Sequence, residues 1–165
     1  MSKFRTLACA LAALPLAALT IGHSTAVAEA AEHEVTITIN KVRAVDRADE
    51  FSDGDYYARV TIDGEVFKTD PIKQEGTIEP NWTFTKKVKP GTVNVKLELL
   101  DKDVSVDDPI DINRIDNKRD LDFSVNTRLC RVNGFAQVYK CGTSITRAGK
   151  EKKSAEITGT VTVKR

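Results

Sequence analysis

Apolar residues recur at every second position through most of this chain. Val35, Ile37 and Ile39 alternate with Glu34, Thr36, Thr38 and Asn40, which predicts a first strand over 34–40. Tyr57 to Ile62 and Glu65 to Thr69 are separated by Asp63-Gly64, the dipeptide of a two-residue β-hairpin turn. Trp82 to Val88 is a further strand, and Pro90-Gly91 turns it into Thr92–Leu100, where Val93, Val95, Leu97 and Leu99 share one face. Short strands are expected at 110–115 and 121–125, a hairpin around Asn133-Gly134, and a last strand over 155–163. No stretch carries a helical apolar period, and no internal repeat is present. Several short strands at this spacing predict an all-β protein, an antiparallel sandwich or barrel of one domain.

The first 28 residues stand apart from this pattern. Lys3 and Arg5 precede an Ala/Leu-rich apolar run from Leu7 to Ile21, and Ala26-Val27-Ala28 supplies a small-x-small cleavage pattern. These are the parts of a secretory signal peptide, expected to end at Ala28 or Ala30. The run is short for a membrane span and is broken by Pro15. Cys9 comes too early for a lipoprotein site. The expected product is exported, secreted or periplasmic, with a folded domain over 33–165. About 135 residues suffice for one core.

Export changes two counts. Losing Lys3 and Arg5 turns the formal charge of +1 into −1, which leaves no basic balance for nucleic acid. Losing Cys9 leaves Cys130 and Cys141, an even pair that an oxidising compartment is expected to join across the Asn133-Gly134 hairpin. A pair of metal-binding thiolates is poorly supported at this spacing.

The strand ending at Leu99 runs into Leu100-Asp101-Lys102-Asp103-Val104-Ser105-Val106-Asp107-Asp108-Pro109. Four carboxylates in one tight loop repel one another unless water or a cation screens them, and calcium takes six to eight oxygen ligands of this kind. The bland reading is that Asp favours solvated turns. A second acidic segment, Asp46 to Asp55, also lies between strands. It lacks the acid spacing and closing Glu of an EF-hand.

Placed in order, these elements resemble a C2 domain across Val35 to Ile110. The carriers are Gly54-Asp55-Tyr56-Tyr57 running into a strand, Lys68-Thr69, Glu79-Pro80-Asn81-Trp82-Thr83-Phe84, Asp101-Lys102-Asp103, and Asp108-Pro109-Ile110. The resemblance implies a Greek-key antiparallel sandwich that binds Ca2+ through Asp49, Asp55, Asp101, Asp103 and Asp108, with Asp107 as the rival of Asp108. Asp101 and Asp103, two apart on a strand, point to the same side independently of the resemblance. Tyr56 replaces the family's Pro, Asp111 replaces the Gly after the final Ile, and the distal loop is one residue short.

The family docks on anionic phospholipid surfaces. Phe51, Val104 and Val106 stand where its apolar loop tips would enter the interface. Lys68, Lys86, Lys87 and Lys89 read as a lateral phosphate patch or, more simply, as charges that protect strand edges. The alternative is a calcium-stabilised or metal-free domain that recognises an extracellular protein or glycan. An enzyme is not expected: His23 falls in the signal peptide, His33 lies at the start of the domain, and no nucleophile–His–acid set assembles. A carboxylate pair of glycosidase type has little cleft to work in. A monomer is expected, and Lys150–Lys153 reads as a solvated loop.

Overall fold

The structure is a computed structural model that describes residues 31–45, 55–73 and 76–165. The signal-peptide reading, Asp49 and Phe51 lie outside these residues. The described residues contain no helix, and none of their segments is long and apolar enough to cross a membrane as one.

Among the described residues, thirteen strands build two antiparallel sheets. The first sheet is centred on β1 (His33–Ala44), paired on one side with β13 (Ala155–Lys164). On the other side it meets β6 (Trp82–Val88) and the two-residue β5 (Thr77–Ile78). The four-residue β12 (Ile145–Ala148) extends this sheet beyond β13. The second sheet is centred on β7 (Thr92–Asp101), flanked by β2 (Asp55–Ile62) and β9 (Leu121–Asn126). β2 turns through Asp63-Gly64 into β3 (Glu65–Lys68) and pairs further on with β4 (Ile72–Lys73). β8 (Asp108–Ile110) folds back on the end of β7, and β9 continues into β10 (Arg131–Asn133) and β11 (Tyr139–Lys140).

The period-two pattern decides which faces meet. Val35, Ile37 and Ile39 of β1 join Ala58, Val60 and Ile62 of β2 and Val93 to Leu99 of β7 in one buried cluster. Each large apolar side chain there contributes roughly 1.5–3 kcal/mol by leaving water. In β1 the buried positions skip from Ile39 to Val42, because a bulge between Ile39 and Lys41 inserts Asn40 without a partner on β13. Beside that bulge only glycine fits at position 159, where a Cβ would stand 2.5 Å from the Thr38 carbonyl oxygen.

Two expectations change and one holds. The segment 110–115 is not one strand: Asp111, Ile112 and Asn113 are all buried in succession, so the chain leaves period two after Ile110. Asn133-Gly134 is not a two-residue turn, since Val132 pairs with Tyr139, Asn133 ends β10 and residues 134–138 form the loop. The extra length lets Phe135 fold back onto Phe123, with ring centroids 5.4 Å apart, and the Arg147 guanidinium caps the Phe135 ring at 4.3 Å. The expected disulfide joins Cys130 and Cys141 across this hairpin, with Cα atoms 5.3 Å apart.

A candidate cation site at one end of the sandwich

Asp101 stands two residues after Leu99 on β7 and so follows it on the core-facing side at the end of the sandwich, although Leu100 between them is buried as well. Its register partners are Tyr56 on β2 and Asp108 on β8. Two carboxylates directly opposite in a ladder destabilise it unless a cation intervenes. Here the cation is Lys153, whose Nζ lies 2.5 Å from Asp108 Oδ2.

Asp101 is also tied to the acidic segment before β2. Its Oδ1 accepts the backbone N–H of Asp55 at 2.7 Å, and the Lys102 N–H donates to the Asp55 carbonyl at 2.9 Å. At the other end of that segment the Val45 N–H donates to the Ser154 carbonyl at 3.0 Å. The described chain thus stops at Val45 beside Ser154 and resumes at Asp55 beside Asp101. Burial pushes the Asp101 carboxyl above its ordinary range; the Asp55 N–H opposes this, the charges of Asp103 and Asp55 add to it, and Lys153 opposes it again.

The register separates the two rival aspartates. Asp108 shares the side of Asp101, whereas Asp107 receives the Tyr57 hydroxyl at 2.6 Å from the outer face of the second sheet. Tyr57 holds the Asp107 carboxyl below its usual range, and burial together with Asp107 pushes the Tyr57 phenol up to about 12. Asp107 Oδ1 also accepts the Asp103 N–H at 3.3 Å. Between these residues the loop tip is open to solvent: Val104 is 110% exposed and Val106 75%.

Two contributors escaped the sequence reading. Asp111 is 0% exposed, and its carboxyl accepts the N–H groups of Asn113 (2.9 Å), Lys150 (2.8 Å) and Glu151 (2.8 Å). That clamp shapes the loop 149–154, so the basic run is not merely solvated. Lys150 pairs with Asp116 and Lys153 with Asp108. The one signal in the sequence was that Asp111 takes the place of a family glycine. Nothing local marked Lys153. Of the lateral lysines, Lys86 reaches across the gap between sheets, where its Nζ donates to the carbonyls of Ile62 and Asp63.

The donor chemistry fits a hard cation: the oxygens are carboxylates, and an ammonium already sits on one of them. Among the described residues no three acidic, His or Cys side chains come together closely enough to hold a metal ion.

A C2 domain family model matches residues 33–128. A search of curated proteins finds no match. Among solved structures, human GIVD cytosolic phospholipase A2 bound to methyl γ-linolenyl fluorophosphonate and terbium chloride is similar at 17% identity and a TM-score of 0.51, over 81% of this chain. This chain spans only 18% of that enzyme's length. A C2 domain of plant extended synaptotagmin 1 is similar at 11% identity and a TM-score of 0.54, covering 79% of this chain and 93% of the domain. The calcium-bound pair of C2 domains of extended synaptotagmin 2 is similar at 13% identity and a TM-score of 0.52, over 78% of this chain and 44% of the pair. The fold is shared in each case, and with the family model covering more than half of its length the chain belongs to the C2 domain family.

Proposed function

We propose that this protein is an exported, calcium-dependent module that docks on anionic phospholipid surfaces. Asp101, Asp103, Asp108 and Asp55, joined by Asp49, would hold the ion, which supplies the positive charge that the acidic end lacks. Asp107 is left to Tyr57. The observation that carries the reading is the pairing of opposites on one loop: two exposed valines flanked by carboxylates, with Asp101 and Asp108 opposite each other and a single ammonium on Asp108. Exposed Val104 and Val106 cost solvation in water and gain it back in a lipid interface, but unneutralised carboxylates would be repelled by anionic headgroups. A bound divalent ion removes that repulsion. Two further supports are the bracketing of residues 46–54 by Ser154 and Asp101 and the calcium-bound state of a structural neighbour. Phe51 would join the valines at the interface. The reading gives the protein no catalytic step.

Sedimentation with vesicles of phosphatidylserine and phosphatidylcholine tests it. The protein is expected in the pellet with millimolar calcium and in the supernatant with EDTA. Val104→Ser/Val106→Ser is expected to weaken the calcium-dependent fraction by roughly tenfold or more. Equal partitioning with and without calcium would overturn the reading. Calcium binding without vesicle binding would move it to recognition of a protein or glycan.

A further inference from the structure

We propose that Lys153 is a tethered cation that occupies the acidic end and competes with the divalent ion for it. The inference rests on the calcium reading and adds what sets the threshold of that site.

Its support is the way the lysine is delivered. Loop 149–154 wraps around Asp111, whose carboxyl receives the Lys150 and Glu151 N–H groups and whose own N–H donates to the Lys153 carbonyl at 2.7 Å. The Asp111 carbonyl accepts the Ala155 N–H at 2.9 Å, and Gly149 packs so closely that a Cβ there would collide with that carbonyl oxygen. The wrapping leaves Lys153 with φ at +55°, a left-handed conformation that a β-carbon disfavours and that glycine or asparagine adopts more readily. The turn alone would be better served by either. A lysine there presents an ammonium to Asp108, and its charge also reaches Asp101, the register partner of Asp108.

The consequence follows from charge. With the ammonium in place, the facing carboxylates of β7 and β8 coexist without a metal. A divalent ion using Asp108 must first displace it, because two cations on one carboxylate pair repel. The lysine's flexible four-carbon stem lets it swing away without moving the clamped backbone. Calcium affinity is therefore lower than the number of carboxylates would give.

Calorimetric titration of the full chain with calcium chloride tests this on wild type, Lys153→Met and Lys153→Arg, alongside thermal unfolding in EDTA. Lys153→Met keeps the stem and removes the charge. It is expected to bind calcium about tenfold or more tightly than wild type and to unfold at a lower temperature in EDTA, while Lys153→Arg stays near wild type. An unchanged or weaker affinity in Lys153→Met, with wild type binding normally, would overturn the inference and leave the calcium reading standing. Absence of binding by both proteins at about 10 mM calcium would overturn the calcium reading and the inference with it. Should Lys153→Met not fold, Lys153→Gln keeps a donor for Asp108 and carries the same comparison.

Discussion

Asp111 shows what a single buried acid does when the backbone is its partner. Three N–H groups from two segments converge on its carboxyl, that of Asn113 in a buried hydrogen bond and those of Lys150 and Glu151 in part-buried ones. Asp111→Ala is expected to cost about 3 kcal/mol, measured by urea unfolding, because it removes the shared acceptor of three N–H groups and leaves the buried one on Asn113 without a partner. Tyrosine ionisation offers a second residue-level test. Burial pushes both Tyr56 and Tyr57 up to about 12. Since the folded pKa lies above the unfolded value near 10, the tyrosine contribution to stability is fully present below pH 10 and is lost as pH rises from there through 12. Ultraviolet titration should show two of the three tyrosines ionising only as the protein unfolds, and ordinary titration of both near pH 10 would refute this packing. At this scale Asp101 was legible because period two dictates its side, whereas Asp103 lies past the end of β7 in the exposed loop, where period two no longer applies. Asp107 and Asp108 could not be told apart until the β7–β8 register placed one with Lys153 and the other with Tyr57.

At the scale of elements, long strands with unbroken alternation were readable to within a few residues. β6 matches its expected range, and β7 gains only Asp101. Short strands were not. β12 has one buried apolar residue, Ile145, so its four residues carry no alternation to detect. The segment after β8 misled because Ile110 and Ile112 look like a strand face, whereas Asp111 between them turns inward to bind backbone. The disulfide hairpin was located correctly, but its loop is longer than a two-residue turn: Gly134, at a φ of +110°, lies tight against the Phe123 backbone and Phe135 stacks on the Phe123 ring. Closing a loop of 11 residues' separation restricts the unfolded chain, so Cys130→Ser/Cys141→Ser is expected to lose about 3 kcal/mol. Denaturant midpoints with and without reductant would measure it, and equal midpoints would mean that the Arg147–Phe135–Tyr139 stack alone holds the hairpin.

The whole molecule is a sandwich whose two sheets deliver different parts to one end. The second sheet brings Asp55, Asp101 and Asp108; the first brings the loop that carries Lys153 from the start of β13. That convergence could not be read from spacing, because Lys153 and Asp108 lie 45 residues apart and meet only when the sheets stack. The central claim is that a divalent ion completes this end. Thermal unfolding of the protein in EDTA and in millimolar calcium, with Asp101→Asn/Asp103→Asn in parallel, addresses it most directly. Linkage gives about 2.7 kcal/mol of stabilisation when calcium reaches about a hundred times its dissociation constant. A midpoint that rises by several degrees in wild type and stays still in the double variant is the predicted result. A midpoint that calcium leaves unmoved in wild type, or moves equally in both proteins, would contradict it.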